Sequence, residues 1–506
     1  MIASPTEPAH DRAVGVMAIA IFAALSVWGA VASPGFLEAD AGTHYLYARF
    51  AIAEPHYLTN VWGRPLCTGV YALPAHYFGR IGVRLTSLLL AIGCAIVAWK
   101  IARELRWSRP VLAGIFTLAQ PLVFLHSFSE LTELPFALVI GLAFWAYVKK
   151  QWLLMSLLVG LSPLGRPEGF GFVLLAIGAL LLHRRAWWIP ALLVPLALWN
   201  HAGWVIFGRD GPWWGWLASQ WPYAQTSLYP SGSVFHFVAL LPVVTSPLLL
   251  PGTLLGVGLC VVRGRDVFRY FDKRRARVSA AKPQAGGLVS GNSATSLDVH
   301  RDLCTVLVAL LPAGILAVHS MLYFLGKMAS NGELRYLLVV APLWGMLSAA
   351  GWGWVFHRLQ WRGVMLWALV ASIVPLTVNA YYRTVPIAYE HSWNEARQMV
   401  DWYRSSPRRI THPFFSASHT GVYYFLDVSP SDRAKVRLWE QQTVQTVPPG
   451  TMLFWDETFA LMNADANRTV SIDDLESAGW KRVEDPEMPD LPTWRVYVSP
   501  EIQTDR

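Results

Sequence analysis

Charged side chains are scarce in this sequence. Asp, Glu, Lys and Arg make up 15% of its 506 residues, whereas soluble globular proteins carry about 25%. The chain therefore lacks the charge that a water-facing surface of this size needs. Hydrophobic residues account for 54% of the sequence, and this composition predicts an integral membrane protein.

Cysteine is scarce as well, and basic residues form no large patch. The four cysteines, at positions 67, 94, 260 and 304, have no metal-type spacing. Three of them lie inside apolar runs, so a disulfide framework is not expected. The formal net charge is +8, but the basic residues sit in short clusters between apolar runs. We therefore reject nucleic acid as a partner.

Long apolar runs, in contrast, are abundant. A helix that crosses the hydrocarbon core needs about 20 apolar residues. Runs of this length without charge occur at 13–32, 110–129, 186–208, 233–262, 303–326, 336–357 and 363–382. Four runs of fifteen residues, at 85–99, 134–148, 151–165 and 169–183, join them; these can span where their ends face protein or a wet cavity. We predict a polytopic α-helical membrane protein with about eleven spans.

The placement of Lys and Arg predicts the orientation. Inner loops are expected to be enriched in basic residues, and alternate loops are: those at 100–109, 149–150, 184–185, 263–301 and 358–362. This pattern places the N-terminus in the cytoplasm and the chain in the plasma (inner) membrane. The tripeptide Ala30-Val31-Ala32 resembles a signal-peptidase site, but the long first apolar stretch favours a retained span.

The composition divides the chain into a membrane part and a soluble part. Residues 1–382 form the predicted transmembrane domain. Within it, 33–84 is a long first outer loop, and 263–302, which mixes basic residues with Gly, Ser and Ala, is predicted to be a disordered cytoplasmic linker. Residues 383–506 regain normal polarity and are predicted to form a small extracytoplasmic α/β domain, with helices at 393–404 and 472–478 and strands at 451–455 and 494–498.

Ionisable residues gather at one side of the predicted membrane. Such residues are costly at membrane depth, so their common sidedness suggests a functional site. The alternative is that each residue only caps a span in the headgroup layer. The set comprises Glu38, Asp40, Glu130, Glu133, Arg166, Glu168, Glu333 and Arg335.

Several of these residues lie in motifs that resemble the GT-C superfamily, the polyprenyl-phosphate-sugar glycosyltransferases that include protein O-mannosyltransferases and the lipid A aminoarabinose transferase. The first outer loop carries the family pattern of an acid followed by a Tyr and an Ala-Arg pair. Further motifs follow in the family order. The matching residues are Asp40, Tyr45, Ala48 and Arg49, then Arg64-Pro65, Arg84-Leu85, SELTELPF (129–136), GRPEGF (165–170) and ELRYLL (333–338).

One departure affects the assignment of roles. Many members of the family have two adjacent acids, whereas here Ala41 follows Asp40 and the second acid, Glu38, lies two residues before it. The two acids therefore remain alternatives for the catalytic base.

The resemblance implies transfer of mannose or another hexose or pentose, with inversion, from a polyprenyl-phosphate donor to a lipid, glycan or protein acceptor outside the cytoplasm. A sugar on a polyprenyl phosphate has a good leaving group, so the enzyme needs a base for the acceptor hydroxyl and cations for the departing phosphate. Asp40 is the first candidate base and Glu38 the second.

Each of the remaining motif residues has two alternative roles. Arg166, Arg335 and Arg64 are predicted to bind the donor phosphate, because guanidinium groups pair two phosphate oxygens; the alternative is that they reach to lipid headgroups. Glu130 and Glu133 are predicted to bind the acceptor or a divalent metal, or else to cap a short span.

Two other classes of protein compete with this interpretation. A secondary transporter would show paired inverted repeats and ionisable residues near mid-span, but we find no such repeat in the sequence and the acids lie at outer ends. A lipid-handling membrane protein without catalysis would explain an outer domain but not the acidic loop.

Overall fold

A computed structural model describes residues 9–221, 229–280, 293–328, 330–359, 382–437, 447–462 and 470–500. These residues form two compact units. The first unit comprises Met1–Ser33 and Tyr47–Pro386, and the second comprises Pro34–Leu46 and Ile387–Arg506. The acidic part of the first outer loop therefore belongs to the second unit and not to the helical one.

The first unit is built from helices. The long or medium-length ones are α1 (Ala9–Ala32), α3 (Pro65–Glu104), α4 (Val111–Leu118), α6 (Glu133–Val148), α7 (Trp152–Gly165), α8 (Gly169–Leu182), α9 (Ile189–Phe207), α13 (Leu250–Ala280), α14 (Ser293–Phe324) and α15 (Ala341–Arg358). The short ones are α5 (Pro121–His126), α10 (Trp216–Ser219), α11 (His236–Ala239) and α12 (Leu241–Thr245). Helix α2 (Ala39–Phe50) begins in the second unit and ends in the first. Short 3-10 helices cover Pro55–Leu58, Ala186–Trp188, Trp213–Gly215 and Leu334–Val340.

Five of the described helices are long and apolar enough to cross a membrane. They are His10–Ala32, Pro65–Glu104, Ala186–Phe207, Val299–Phe324 and Leu334–Arg358. Each contains or closely matches one of the predicted spans. The apolar helices α6, α7 and α8 are shorter and coincide with three of the predicted fifteen-residue runs. The total of eleven spans remains a prediction, and most of the last one, 363–382, lies outside the described residues.

Helix α3 joins a helix of the segment 33–84 to a predicted span. It begins at Pro65, a residue favoured at the first helical position, after Arg64 in a left-handed conformation (φ 61°). Gly79 (φ 60°, ψ −150°) interrupts the helix, a conformation that only glycine adopts without strain. The kink therefore separates the segment before Gly79 from the predicted second span.

Two predicted spans are interrupted in the structure. The run 110–129 divides into α4 and α5, because Pro121 cannot continue the helix that precedes it. The run 233–262 divides into α11, α12 and α13 around Ser246, which has φ 81° and is followed by a proline. The prediction of a continuous helix over each run was wrong.

The predicted disordered linker is helical at both ends. Helix α13 continues to Ala280 and α14 begins at Ser293, so 263–280 and 293–302 are not disordered. The sequence 263–280 contains six Arg, which has a high helix propensity, and no proline, which favours continuation of the helix. Residues 281–292 lie outside the described residues.

Small residues allow α15 to pack closely against its neighbours. A Cβ atom added to Gly351 would collide with the backbone of Gly252 on α13, and one added to Gly345 would collide with Thr117 on α4. Close backbone approach through small residues is a common way for membrane helices to associate. Helix α15 is therefore held on two sides within the first unit.

The second unit contains a four-stranded sheet. Its strands are β1 (Phe415–Ala417), β2 (Met452–Asp456), β3 (Lys481–Arg482) and β4 (Trp494–Val498), in the spatial order β1-β2-β4-β3. Strands β1 and β2 are parallel, and the other pairs are antiparallel. The helices are α16 (His391–Ser405), α17 (Arg408–Thr411), α18 (Thr420–Leu426), α19 (Glu457–Met462) and α20 (Ile472–Ser477).

Each of the four elements predicted after residue 382 has a counterpart in this unit: α16, β2, α20 and β4. Helix α20 begins with a capping box in which Ser471 and Asp474 bond reciprocally to each other's backbone N–H. One core cluster packs Leu453, Trp455 and Tyr497 against residues from the last helix. Strands β1 and β3 and the shorter helices were not predicted from the sequence.

Candidate active site

The loop between α5 and α6 and the first residue of α6 carry two buried carboxylates. Glu130 and Glu133 are both 0% exposed. Tyr71 Oη donates a hydrogen bond of 3.0 Å to the Leu131 carbonyl oxygen, and Ser87 Oγ donates one of 2.6 Å to that of Ser129. Both donors lie on α3, on opposite sides of the kink. Helix α3 therefore fixes the backbone from which the two carboxylates project.

Glu130 accepts hydrogen bonds from two arginines. Arg80 Nε and Arg84 Nε lie 2.8 and 2.9 Å from its Oε1 atom. Arg84 also donates to the carbonyl oxygens of Ala30 and Ser33 at 2.8 and 2.6 Å. We call Arg80, Arg84 and Glu130 the Glu130 cluster; it holds two guanidinium groups and one carboxylate.

Glu133 lies among a second set of ionic groups. Arg166 Nη1 donates to Glu133 Oε1 at 2.5 Å, and its Nε and Nη2 atoms lie 3.2 Å from Glu168 Oε1. Arg335 Nε is 3.7 Å from Glu133 Oε1 and also pairs with Glu333. We call these five residues the Glu133 cluster; it holds three carboxylates and two guanidinium groups.

Two histidines border the Glu133 cluster. His126 Nε2 lies 3.9 Å from Glu133 Oε2, and His319 Nε2 lies 3.3 Å from Glu168 Oε1. Among the described residues, both of these nitrogens and the Oε2 atoms of both carboxylates are buried without a hydrogen-bond partner. An unpaired buried polar atom costs about 1–3 kcal/mol. The cluster therefore has the capacity to bind a further polar group.

The structure brings some of the predicted site residues together. Arg166 and Arg335, distant in sequence, meet on Glu133. Arg64 lies at the start of α3, where its Nη1 atom is 3.4 Å from the Val61 carbonyl oxygen. Glu130, three residues before Glu133, has Arg80 and Arg84 as its partners instead.

The other two predicted residues, Glu38 and Asp40, lie in the second unit. Asp40 is in the first turn of α2 and is half-buried, as is Glu38. The segment that carries them is anchored by Phe36, whose ring centroid lies 4.6 Å from that of Trp393 and 5.0 Å from that of Tyr424. Aromatic pairs at such distances add to the stability gained from burial.

Polar contacts anchor the same segment. Gly35 N donates to the Ile387 carbonyl oxygen at 2.8 Å, and Thr43 Oγ1 donates to Thr420 Oγ1 at 3.3 Å. A Cβ atom on Gly42 would collide with the Trp393 ring, so the close approach of α2 to α16 requires glycine there. The candidate base is thus positioned by the fold of residues that follow it by more than 300 positions.

The metal site predicted at Glu130 and Glu133 stays a prediction. The Oε1 atoms of these carboxylates accept hydrogen bonds from Arg80, Arg84 and Arg166, whereas their Oε2 atoms have no hydrogen-bond partner among the described residues. Over the described ranges, no three His, Cys, Asp or Glu side chains are grouped so that they could hold a metal ion.

Sequence reasoning missed four residues of this region: Arg80 and Arg84 as partners of Glu130, and His126 and His319 beside the Glu133 cluster. A signal for the arginines was present, since residues four apart on a helix share a face. The histidines gave no such signal, because their positions near Glu133 and Glu168 depend on the packing of separate helices.

The chain shares its fold with a membrane protein of known structure. This follows from comparison with solved structures, since no family model matches the sequence and no curated protein matches it. The chain is similar to ArnT from Cupriavidus metallidurans, solved bound to undecaprenyl phosphate, with a TM-score of 0.57. The likeness covers 95% of this chain and 97% of that chain at 14% sequence identity. At this identity the likeness establishes the fold alone.

Proposed function

We propose that the protein is a multi-pass glycosyltransferase of the plasma membrane that transfers one sugar, with inversion, from a polyprenyl-phosphate donor to an acceptor outside the cytoplasm. The observation that carries this proposal is the fold shared with ArnT over 95% of the chain. That protein was solved with undecaprenyl phosphate bound, which supports a lipid-linked donor here. Mannose is one candidate sugar, and the acceptor is a lipid, glycan or protein.

Asp40 is the proposed catalytic base. The donor's phosphate is already a good leaving group, so the reaction needs a carboxylate that accepts the proton of the acceptor hydroxyl. Asp40 is half-buried and lies in the first turn of α2, and contacts to Trp393 and Tyr424 hold the segment that carries it. Glu38, in the same segment, is the second candidate.

We choose the cations proposed to bind the donor phosphate by comparing the carboxylates and guanidinium groups that surround each candidate. Arg166, Arg335 and Arg64 are the candidates from the sequence. The Glu133 cluster, which holds the first two, contains more carboxylates than guanidinium groups, and such a balance repels a phosphate. The Glu130 cluster brings two guanidinium groups to one carboxylate, and guanidinium groups can pair two oxygens of a phosphate.

Arg80 is therefore our leading candidate for contact with the phosphate. Its side chain is 13% exposed, against 3% for Arg84, so it is the more accessible of the two. Glu130 would hold it in place, as a carboxylate that fixes the orientation of a guanidinium group. For Glu133 we propose the same role towards Arg166, next to groups that could bind the acceptor.

The topology is also part of this proposal. The positive-inside pattern favours a cytoplasmic N-terminus, with residues 383–506 outside, where a lipid-linked sugar would be used. The unit that contains these residues also contains 34–46, so its proposed role is to position the base and contact the acceptor.

The test is a comparison of cell envelopes. Mass spectrometry of outer-surface lipids, glycans and proteins would be carried out with and without the gene, and after restoration with the wild type or with Asp40→Asn. We expect a hexose or pentose mass that disappears on deletion and returns only with the wild type. Identical envelopes in all four strains would refute the proposal, and restoration by Asp40→Asn would remove Asp40 as the base.

A further inference from the structure

A cavity lies at the other end of the first unit, away from the Glu133 cluster. Its volume is about 640 Å³, and it is enclosed by the connection between α3 and α4 together with α13, α14 and α15. Helix α15 follows directly after the segment that carries Arg335 and reaches this cavity with its last turns. Its 18 residues correspond to about 27 Å at 1.5 Å per residue. The cavity is therefore about one membrane thickness away from the Glu133 cluster.

Arginines dominate the charge of the cavity wall. Arg106, Arg109, Arg263 and Arg301 line it, whereas Asp302 is the one acidic residue among the described lining residues. Arg263 Nη1 lies 3.1 Å from Asp302 Oδ1, so the carboxylate offsets one guanidinium group. The excess positive charge, brought together from α13, α14 and the α3–α4 connection, favours an anion.

Apolar and aromatic side chains form the rest of the wall. Trp107 and Trp354 line the cavity together with Leu259 and Val262. Trp354 is 43% exposed and Val262 is 57% exposed. Exposed Trp rings beside arginines are typical of the membrane–water interface. A wall that combines arginines with exposed apolar groups fits an amphiphile whose head is anionic.

We propose that this cavity binds a phosphate-bearing anion through Arg106 and Arg109. Guanidinium groups pair two oxygens of a phosphate at once, and basic pockets between membrane helices on the cytoplasmic side are suited to anionic headgroups. The phosphate can come from an anionic phospholipid of the inner leaflet or from a soluble phosphate compound. The site is separate from the proposed transferase site, but its place on the cytoplasmic side rests on the topology proposed above.

Two kinds of variant test the site. Arg106→Gln/Arg109→Gln removes charge from the wall, and Arg184→Gln/Arg185→Gln is its matched control, an exposed basic pair outside the lining. Gly353→Leu fills the cavity without changing charge, because a Cβ atom there meets nothing within 4 Å. Gly258→Leu is its control, since Gly258 is equally open and lies outside the lining. Leu favours helix over Gly, so both substitutions should be compatible with folding.

The measurement is binding to the purified full-length protein. Short-chain phosphatidylglycerol, phosphatidylcholine and inorganic phosphate would each be titrated, and co-purified lipids would be counted by native mass spectrometry. We expect phosphatidylglycerol to bind more tightly than phosphatidylcholine. We also expect a loss of about tenfold or more in the charge variant and in Gly353→Leu, corresponding to at least about 1.4 kcal/mol.

Three outcomes decide the proposal. Binding of phosphatidylglycerol that both cavity variants weaken supports it and identifies a lipid headgroup as the source. Binding of inorganic phosphate with the same sensitivity supports it and identifies a soluble source. Binding that is absent, or that is as strong in both cavity variants as in their controls, overturns it.

Discussion

Buried carboxylates in the two units have different neighbours. In the first unit, Glu130 and Glu133 lie against arginines drawn from several helices. In the second unit, buried Asp456 accepts a backbone N–H of Phe459, and Glu395 accepts from Trp494 Nε1. The first unit thus places arginines against its buried carboxylates. In the second unit the donors to Asp456 and Glu395 are a backbone N–H and an indole N–H, and His391 Nε2 lies 3.1 Å from Glu395 Oε1.

The difference has a consequence for protonation in the second unit. Burial raises the pKa of Asp456 to about 6, and the nearby Glu395 adds to the effect. Burial lowers the pKa of His419 to about 3, because an apolar environment disfavours the charged form. In the first unit, arginines pair with the buried carboxylates. In the second unit, a change of pH should alter the protonation of the buried groups Asp456 and His419.

The largest effect is expected when a buried pair in the first unit is broken. Arg84→Met leaves Glu130 with one of its two partners and frees the carbonyl oxygens of Ala30 and Ser33. Removing one member of a buried ion pair costs about 3–5 kcal/mol. Thermal unfolding in detergent should show a marked decrease in Tm for Arg84→Met.

Two further variants serve as its controls. Arg184→Gln, at an exposed position, should leave Tm unchanged. Arg84→Met combined with Glu130→Leu should recover part of the loss, because the Glu130 carboxylate that lost its partner is then absent. An unchanged Tm in Arg84→Met would mean that the pair does not hold the loop.

The next largest effect is expected when the candidate catalytic base is replaced. If Asp40 is the base, Asp40→Asn should reduce turnover by at least about 100-fold, since general base catalysis contributes that much. The substitution is nearly isosteric at a half-buried position, so folding should survive. The assay is transfer from a short-chain polyprenyl-phosphate sugar by purified protein. Normal turnover in Asp40→Asn with an inactive Glu38→Gln would move the role to Glu38.

A smaller effect is expected from pH in the second unit. Because the pKa of His419 is lowered to about 3 from about 6.5, its contribution to stability is complete above pH 6.5 and is lost as pH falls. At pH 5 the loss is about 2 kcal/mol. His419→Asn retains an acceptor for Gly421 N–H at a helix N-cap and should flatten this dependence.

Hydrogen exchange of the full-length protein, corrected for intrinsic rates, would measure the local stability of residues 415–426 at pH 7 and pH 5. His201→Asn, at an exposed histidine of the first unit, is the control and should behave as the wild type does. Equal pH dependence in the wild type and in His419→Asn would contradict the assignment.

The smallest predicted effect separates the two arginine clusters. Arg80→Gln should raise the donor KM about tenfold, equivalent to the loss of about 1.4 kcal/mol of charge-assisted binding. Arg335→Gln should affect the donor KM less, because carboxylates outnumber guanidinium groups around it. Arg80→Lys should restore binding only in part. Wild-type donor kinetics in Arg80→Gln with a raised KM in Arg335→Gln would reverse the assignment.

Much of the architecture could be predicted because local sequence determines it. The apolar runs at 13–32, 186–208 and 303–326 correspond to helices of spanning length, and helix α20 follows from its capping box. The interruptions at Pro121 and Ser246 were not predicted, because the runs that contain them have the apolar composition of a continuous span. Strand β3, two residues long, has too little sequence for a pattern.

The sequence by itself determined that this is a helical membrane protein with acids and arginines in particular motifs, because hydropathy and spacing are properties of short segments. The tertiary structure alone decided which charges meet. Arg166 reaches Glu133 across 33 residues and Arg84 reaches Glu130 across 46. It also decided that the segment bearing Asp40 packs on Trp393 and Tyr424 through Phe36. Such pairings depend on how helices and strands distant in the chain pack together, and no local pattern encodes that packing.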